Sequence, residues 1–473
     1  MNVSPRKTLF HRKQSTSIYR LFLLIVMIMG GVWLIRQVDR GEVKPLFLPT
    51  PTPTRTTESY AIEGEAQFTA GDMGAAIAAY QEAVRVDSNN AETWAKLARI
   101  QTYSSALLTT DNEQRDRLGE ALESANKAVE LAPDDSTAHG IRAFVLDWNA
   151  NPTLIDQDQV QDYLLEAEQE AVRALQLDNT NTLALAFYAE ILVDQQKWNQ
   201  AEQYILQALE RDPSLMDVHR VYAYVLESFG QYNQAIEEYD AAIAITPNLT
   251  FLRLRAGANY RRLAYGSPNQ DTALQLYEQS LEYFAEAARI NEQLGVKDPT
   301  PNLSIARTYS QMGEFFIAAR NVQKALEYQP DNADIYGQLG VIYFKSRNYE
   351  GSIPALKCAI YGCTADESCE GRGGCGPNDT PAEVTGLALS PNTVIYYYIY
   401  GSVLAALSRP QQNYCPEAMQ ILGEVKTEFG SDPDIAGIVA AGETICDSLG
   451  EEGIPVPTAT QTMTSGTTAT PAP

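Results

Sequence analysis

A chain of 473 residues with 45% hydrophobic and 20% charged side chains is too long for one closed core and too apolar to be disordered overall, so it divides into domains or grows as an open stack. Its net charge of −25 is uneven: residues 1–44 hold 8 Lys/Arg against 2 Asp/Glu, leaving 27 against 58, or −31, for the rest. A body that acidic repels phosphate backbones, and no nucleic-acid partner is expected.

Residues 1–20 carry Arg6, Lys7, Arg12, Lys13 and Arg20, with His11 among them, and Leu21 to Ile35 (LFLLIVMIMGGVWLI) is uncharged and almost all apolar. Counting Ile18 and Tyr19, with Arg20 able to snorkel, the stretch approaches the roughly 20 residues that span a bilayer. The pattern predicts a basic cytoplasmic tail at 1–17 and a transmembrane signal-anchor at 18–36, and the positive flank places everything after it outside the cytoplasm. A cleaved signal peptide is the competing reading, since 15 uninterrupted apolar residues are short for a span. Against cleavage, Arg36-Gln37-Val38-Asp39-Arg40 offers no small-x-small site. A linker at 37–56 follows, where Leu48 to Thr57 (LPTPTPTRTT) favours an extended polyproline-like spacer. The carboxyl end, 450–473, shares the Pro/Thr bias and reads as a disordered tail.

Between these segments the sequence repeats itself every 34 residues. Thr182 to Leu215 (TLALAFYAEILVDQQKWNQAEQYILQALERDPSL) and Met216 to Leu249 (MDVHRVYAYVLESFGQYNQAIEEYDAAIAITPNL) match in type, with Ala223 on Ala189, Tyr232 on Trp198, Ala235 on Ala201, Ala242 on Ala208 and Pro247 on Pro213. Alanines let two helices approach closely, the aromatic covers the turn, and the proline ends the unit. Counted from each first residue, the recurrent positions are 4, 7, 8 and 11 in a first helix, 20, 24 and 27 in a second, and a closing proline at 32. Units start at Thr57, Ala91, Ser136, Thr182, Met216, Thr250, Pro299 and Ala333, with an irregular ninth at 392–429 and a capping helix from Asp434 to Leu449. Insertions around Thr109–Asp116, at Asn149-Ala150-Asn151-Pro152 and at Gly266-Ser267-Pro268-Asn269 are expected to lengthen the turns of units two, three and six.

This pattern resembles the tetratricopeptide repeat, a helix–turn–helix unit of the same period. The resemblance covers roughly 57–449. It implies an all-α fold, a tetratricopeptide-repeat α-solenoid wound as a right-handed superhelix behind a single N-terminal transmembrane helix, as in a membrane-anchored bacterial protein.

Catalytic chemistry is hard to assemble from this sequence. His139 and His219 both occupy position 4, where Trp94 and Tyr336 stand in other units, and so read as packing residues. Gly371-Arg372-Gly373-Gly374-Cys375-Gly376 has the letters of a dinucleotide-binding loop, but follows no strand and opens no helix. No enzyme, cofactor or metal site is expected. Six cysteines, Cys358, Cys363, Cys369, Cys375, Cys415 and Cys446, gather in and after a cysteine-rich loop at 358–391. An even number absent from the other repeats fits disulfides in an exported domain. A metal site from the first four is the alternative, at spacings wider than the usual C-x₂₋₄-C pairs. Six cysteines allow fifteen pairings. Cys415–Cys446 is the preferred bond, since it would tie the last repeat's second helix to the cap.

In the family it resembles, the first helix of each unit lines a groove with positions 2, 5, 6, 9, 12 and 13. Those positions give Arg220, Tyr224, Arg255, Arg261, Arg262, Arg307, Phe344 and Lys345. Such a basic, aromatic run suits carboxylates and extended acidic peptides, unless the arginines are neutralised by neighbouring Asp and Glu. The expected function is a non-enzymatic protein–protein interaction scaffold or adaptor, anchored in the membrane of the cell envelope with its groove outside the cytoplasm. A module for a small anionic ligand or cell-wall glycan, and a structural spacer or self-assembling array, are the alternatives.

Overall fold

The computed structural model describes residues 17–39, 55–108, 110–376 and 379–451 and divides the chain into two units, 1–56 and 57–473. The first is represented by α1 (Ile18–Asp39). Its Ile18–Gln37 stretch, with mean hydropathy 2.3 and no burial, is long and apolar enough to cross a membrane, a test that a signal sequence also passes. Most of the basic tail, most of the Pro/Thr linker and the tail from 452 lie outside the described residues.

The second unit is a succession of helix pairs: α2 (Thr57–Thr69) with α3 (Met73–Val86), α4 (Ala91–Ser105) with α5 (Asp111–Leu131), α6 (Ser136–Asn149) with α7 (Gln157–Leu177), and α8 (Thr182–Asp194) with α9 (Trp198–Arg211). Then come α10 (Met216–Ser228) with α11 (Tyr232–Ile245), α12 (Thr250–Gly266) with α13 (Gln270–Leu294), α14 (Thr300–Met312) with α15 (Phe315–Tyr328), and α16 (Ala333–Lys345) with α17 (Tyr349–Tyr361). A last pair, α19 (Val394–Leu407) and α20 (Cys415–Phe429), is covered by α21 (Pro433–Glu451).

Position by position, the repeat explains its own geometry. Ala98, Ala143, Ala189 and Ala223 at position 8 are fully buried where paired helices cross. Where position 8 is glycine, a large side chain replaces the missing methyl: a Cβ on Gly257 would lie 2.6 Å from the Phe284 ring. Position 15 takes the left-handed backbone that reverses the chain, at Gly71, Gly230 and Gly313 but also at Gln196 and Arg347, with φ of 61° and 62°. A side chain there costs about 1 kcal/mol, so Gln196→Gly is expected to raise stability by about 0.5–1 kcal/mol in urea denaturation.

Position 4 has a second task besides packing. Trp94 Nε1 donates to the Ser88 carbonyl at 3.0 Å and Tyr336 Oη to Pro330 at 3.0 Å, while His139 and His219 Nε2 meet the Pro133 and Pro213 carbonyls at 2.9 and 2.8 Å. Each side chain thus reaches six residues back and satisfies a carbonyl at the end of the preceding repeat. The Nδ1 atoms of His139 and His219 meet Glu170 and Glu238 at 2.6 and 2.7 Å. The hydrogen bond to Glu238 raises the His219 pKa.

Three sequence expectations change. In unit six α12 continues to Gly266 and the turn before α13 is only 267–269, so the insertion lengthens helices rather than the turn. The insertion in unit two is mostly helix rather than turn, because the Thr110 hydroxyl caps the Glu113 amide and starts α5 early. Residues 358–391 are more than a loop: β1 (Gly362–Cys363) pairs antiparallel with β2 (Val384–Thr385), and α18 (Ala365–Gly371) opens on a Thr364/Glu367 capping box. The cysteines pair as Cys358–Cys363, Cys369–Cys375 and Cys415–Cys446.

Candidate functional site

The first helices turn their groove positions toward one another, and between repeats two and six the solenoid closes on itself. Fully buried Tyr103 of α4 stacks on Phe251 of α12, centroids 5.6 Å apart and planes 15° apart, and meets Trp148 of α6 edge-on at 5.7 Å. Phe144 stacks on Phe187 at 4.3 Å.

Through this aromatic centre runs a chain of buried charges. Arg99 Nε donates to Asp217 Oδ1 at 2.9 Å, and the Tyr103 hydroxyl donates to the same oxygen at 2.5 Å. Arg220 donates to Tyr103 Oη at 3.1 Å and forks onto Glu190 at 2.6 and 2.5 Å, and Trp148 Nε1 donates to Glu190 at 3.1 Å. Burial opposes ionisation of Asp217, yet the charge and hydrogen bond of Arg99 and the Tyr103 hydroxyl bring its pKa below the ordinary carboxylate value. Each desolvated charge here has a partner of opposite sign and its own hydrogen bonds, the condition under which buried ion pairs are tolerated.

The residues expected to line a basic groove therefore separate. Arg220 is 5% exposed and bound to Glu190, in the inner wall of a cavity rather than on an open groove surface. Tyr224 donates to Asp194 at 2.5 Å and lies beneath the Arg255 guanidinium at 5.3 Å. Arg255 pairs with Glu227 at 2.7 Å, and Arg262 approaches the same carboxylate at 3.6 Å. One buried carboxylate thus serves two guanidiniums. Arg261 donates to the Ser304 carbonyl at 3.2 Å, lies over Phe284 and forms no ion pair among the described residues. Burial, together with the like charges of Arg307 and Arg262, lowers its pKa to about 10. Arg261 is thus close enough to both Arg262 and Arg307 to feel their charges. Phe344 and Lys345 do not join them: Phe344 packs on Tyr349 of its own repeat at 5.7 Å, and Lys345 is exposed at the end of α16.

A cavity of about 830 Å³ opens beside the charge chain, with Asp147, Trp148, Glu190, Asp194, Tyr224 and Arg255 among its lining residues. The acids of the cavity and of the charge chain were legible. Asp147 stands at groove position 12 of unit three, Glu190 and Asp194 at 9 and 13 of unit four, Asp217 at 2 of unit five. The rule that selects Arg220 selects them too once anions are read as well as cations.

A search of the curated proteins finds no match. Among solved structures, a thermophilic tetratricopeptide-repeat protein of Thermus thermophilus is 17% identical, with 43% of this chain and 98% of that one covered and a TM-score of 0.36. The human IFIT1 dimer with PPP-AAAA is 16% identical over 85% of this chain and 92% of that one, with a TM-score of 0.51, a likeness of fold alone. Tetratricopeptide-repeat family models match residues 57–90, 189–249 and 303–366. With matched repeats at the start, middle and later part of a stack whose pairs share one set of positions, the chain belongs to the tetratricopeptide-repeat family.

Proposed function

We propose that the chain is a protein-binding scaffold of the cell envelope, held at the membrane by α1 with its repeats outside the cytoplasm, and that Arg261, Arg262 and Arg307 receive carboxylates of an extended acidic segment of a partner. Tetratricopeptide solenoids serve in general as protein-interaction scaffolds. The basic flank before α1 supports the orientation, and three cysteine pairs support an oxidising compartment. The observation that carries the site is the half-buried Arg261 guanidinium, set among like charges with no carboxylate of its own among the described residues. Positive charge in excess of the carboxylates paired with it, on a body of this acidity, is relieved by bound carboxylates, and a planar guanidinium takes them bidentately.

The test uses full-length protein in detergent micelles and fluorescein-labelled octaglutamate, read by anisotropy. Binding that weakens as salt rises, and that falls about tenfold or more in Arg261→Glu/Arg307→Glu, is the expected result. Unchanged binding in that variant would remove the site.

A further inference from the structure

Asp147 on α6 and Asp194 on α8 meet at the wall of the large cavity. Asp147 is 4% exposed, and its Oδ1 finds no hydrogen-bond partner among the described residues when both groups are taken as carboxylates. It stands within hydrogen-bonding reach of the Asp194 carboxyl, which also accepts from Tyr224 Oη at 2.5 Å. Two carboxylates facing each other hold four acceptor positions and no donor. The arrangement is satisfied either by a proton between them or by a donor from elsewhere.

The other charges that face the pair are already engaged. On α8 and α10, Glu190 and Arg220 are joined by two hydrogen bonds. On α12, Arg255 is bound to Glu227 of α10 and to the Tyr239 hydroxyl of α11 at 3.2 Å. That leaves the two aspartates as the unmatched anions of a cavity that Trp148, Tyr224 and Phe251 also line. Aromatic rings around an acidic pair suit a cation on an apolar stem, and about 830 Å³ is the size of a small-molecule site. No group of three or more metal-ligating side chains occurs among the described residues, so the donor array favours an organic cation over a metal ion.

We infer that this cavity binds a primary ammonium group, of a small free amine or of a lysine side chain, which replaces the proton shared by Asp147 and Asp194 and donates to both carboxylates. Burial and the negative charges of Asp194 and Glu190 push Asp147 well above the ordinary carboxylate range, and burial brings Asp194 up to about 6. Both shifts favour a proton held between the two carboxyls. The entering R–NH₃⁺ keeps its three protons, Asp147 releases its own to solvent, and the site passes from one negative charge with one proton to two carboxylates around one ammonium.

Calorimetry on the full-length protein in detergent, in two buffers of different ionisation enthalpy, tests this with cadaverine and with Nα-acetyl-lysine methylamide; 1,5-pentanediol is the uncharged control. Binding of either amine, with release of protons at pH 7 and an affinity that rises with pH between 5 and 7, supports the assignment. Cadaverine alone would identify a free amine and the blocked lysine alone a protein side chain. Asp147→Asn keeps a donor facing Asp194 and so preserves the fold, checked by thermal melting, but is expected to lose at least about tenfold in amine affinity together with the proton release. Asp194→Asn is the second such variant. Absence of binding of both amines at about 10 mM, equal binding of the diol, or unchanged amine binding in Asp147→Asn would overturn it. Arg261→Glu/Arg307→Glu should bind the amines as the unmodified protein does, so this inference and the acidic-peptide site fail separately.

Discussion

Asp217→Ala should destabilise the solenoid by about 3–5 kcal/mol, the loss typical of removing one partner from a buried ion pair. Asp217 is fully buried and accepts from both Arg99 and Tyr103, so truncation leaves a guanidinium and a phenol without their acceptor in the same dry centre. The bond joins α4 to α10 across 118 positions of sequence, so the loss should appear in repeats one to six together rather than in one unit. Urea denaturation followed by tryptophan fluorescence reports it, because Trp148 sits against Tyr103. Truncating Glu82, whose partner Arg85 lies on the exposed surface of α3, should leave the midpoint unchanged. The pH dependence has a definite sign. A carboxyl held below its unfolded value contributes stability above that value, about 3.9, and loses it as pH falls through the folded pKa. The difference between the native protein and Asp217→Ala should therefore shrink only in strong acid.

Replacing Cys415 and Cys446 together by alanine should cost about 3–4 kcal/mol at the carboxyl end, from the chain entropy regained when a loop of this size is opened. The bond spans 31 positions and ties the start of α20 to the covering helix α21. Cys358–Cys363 and Cys369–Cys375 close loops of only 5 and 6 positions, and the same relation gives about 2 kcal/mol for either. Hydrogen exchange separates local from global loss: α21 and α20 should lose protection first while α4 and α10 keep theirs, because neighbouring repeats in a stack unfold as coupled but distinct units. Equal loss of protection along the whole stack would mean that the repeats are held as one cooperative block.

The architecture was legible because one unit states it several times. The 34-residue spacing, the alanines at position 8 and the closing prolines locate the helix pairs, and the order of pairs follows the order of units. What escaped was chemistry that acts between distant units. Nothing near Tyr103 in sequence announces that it will meet Asp217 and Phe251, since the curvature that joins them accumulates over four repeats. Arg220 illustrates the consequence. Its position in the helix faces the groove as expected, but at that point the groove is closed, so the side chain becomes interior and requires Glu190. Arg261, near the end of α12, and Arg307, in α14, form no ion pair among the described residues. The histidines show a partial reading of another kind. As packing residues of position 4 they are placed by the pattern, while their hydrogen bonds to the carbonyls six residues back depend on the turn geometry between repeats. In unit two the Thr110/Glu113 pair carried a readable helix start that outweighs the appearance of a long turn.

The acidic-peptide site is tested most directly by where a bound peptide lies. An octaglutamate carrying a photoreactive diazirine at its centre, irradiated with the full-length protein and mapped by mass spectrometry, should label α12 and α14 around Arg261 and Arg307, and the labelling should vanish in Arg261→Glu/Arg307→Glu. Labels spread over the solenoid, or persisting at the same residues in the charge-reversed variant, would contradict the account.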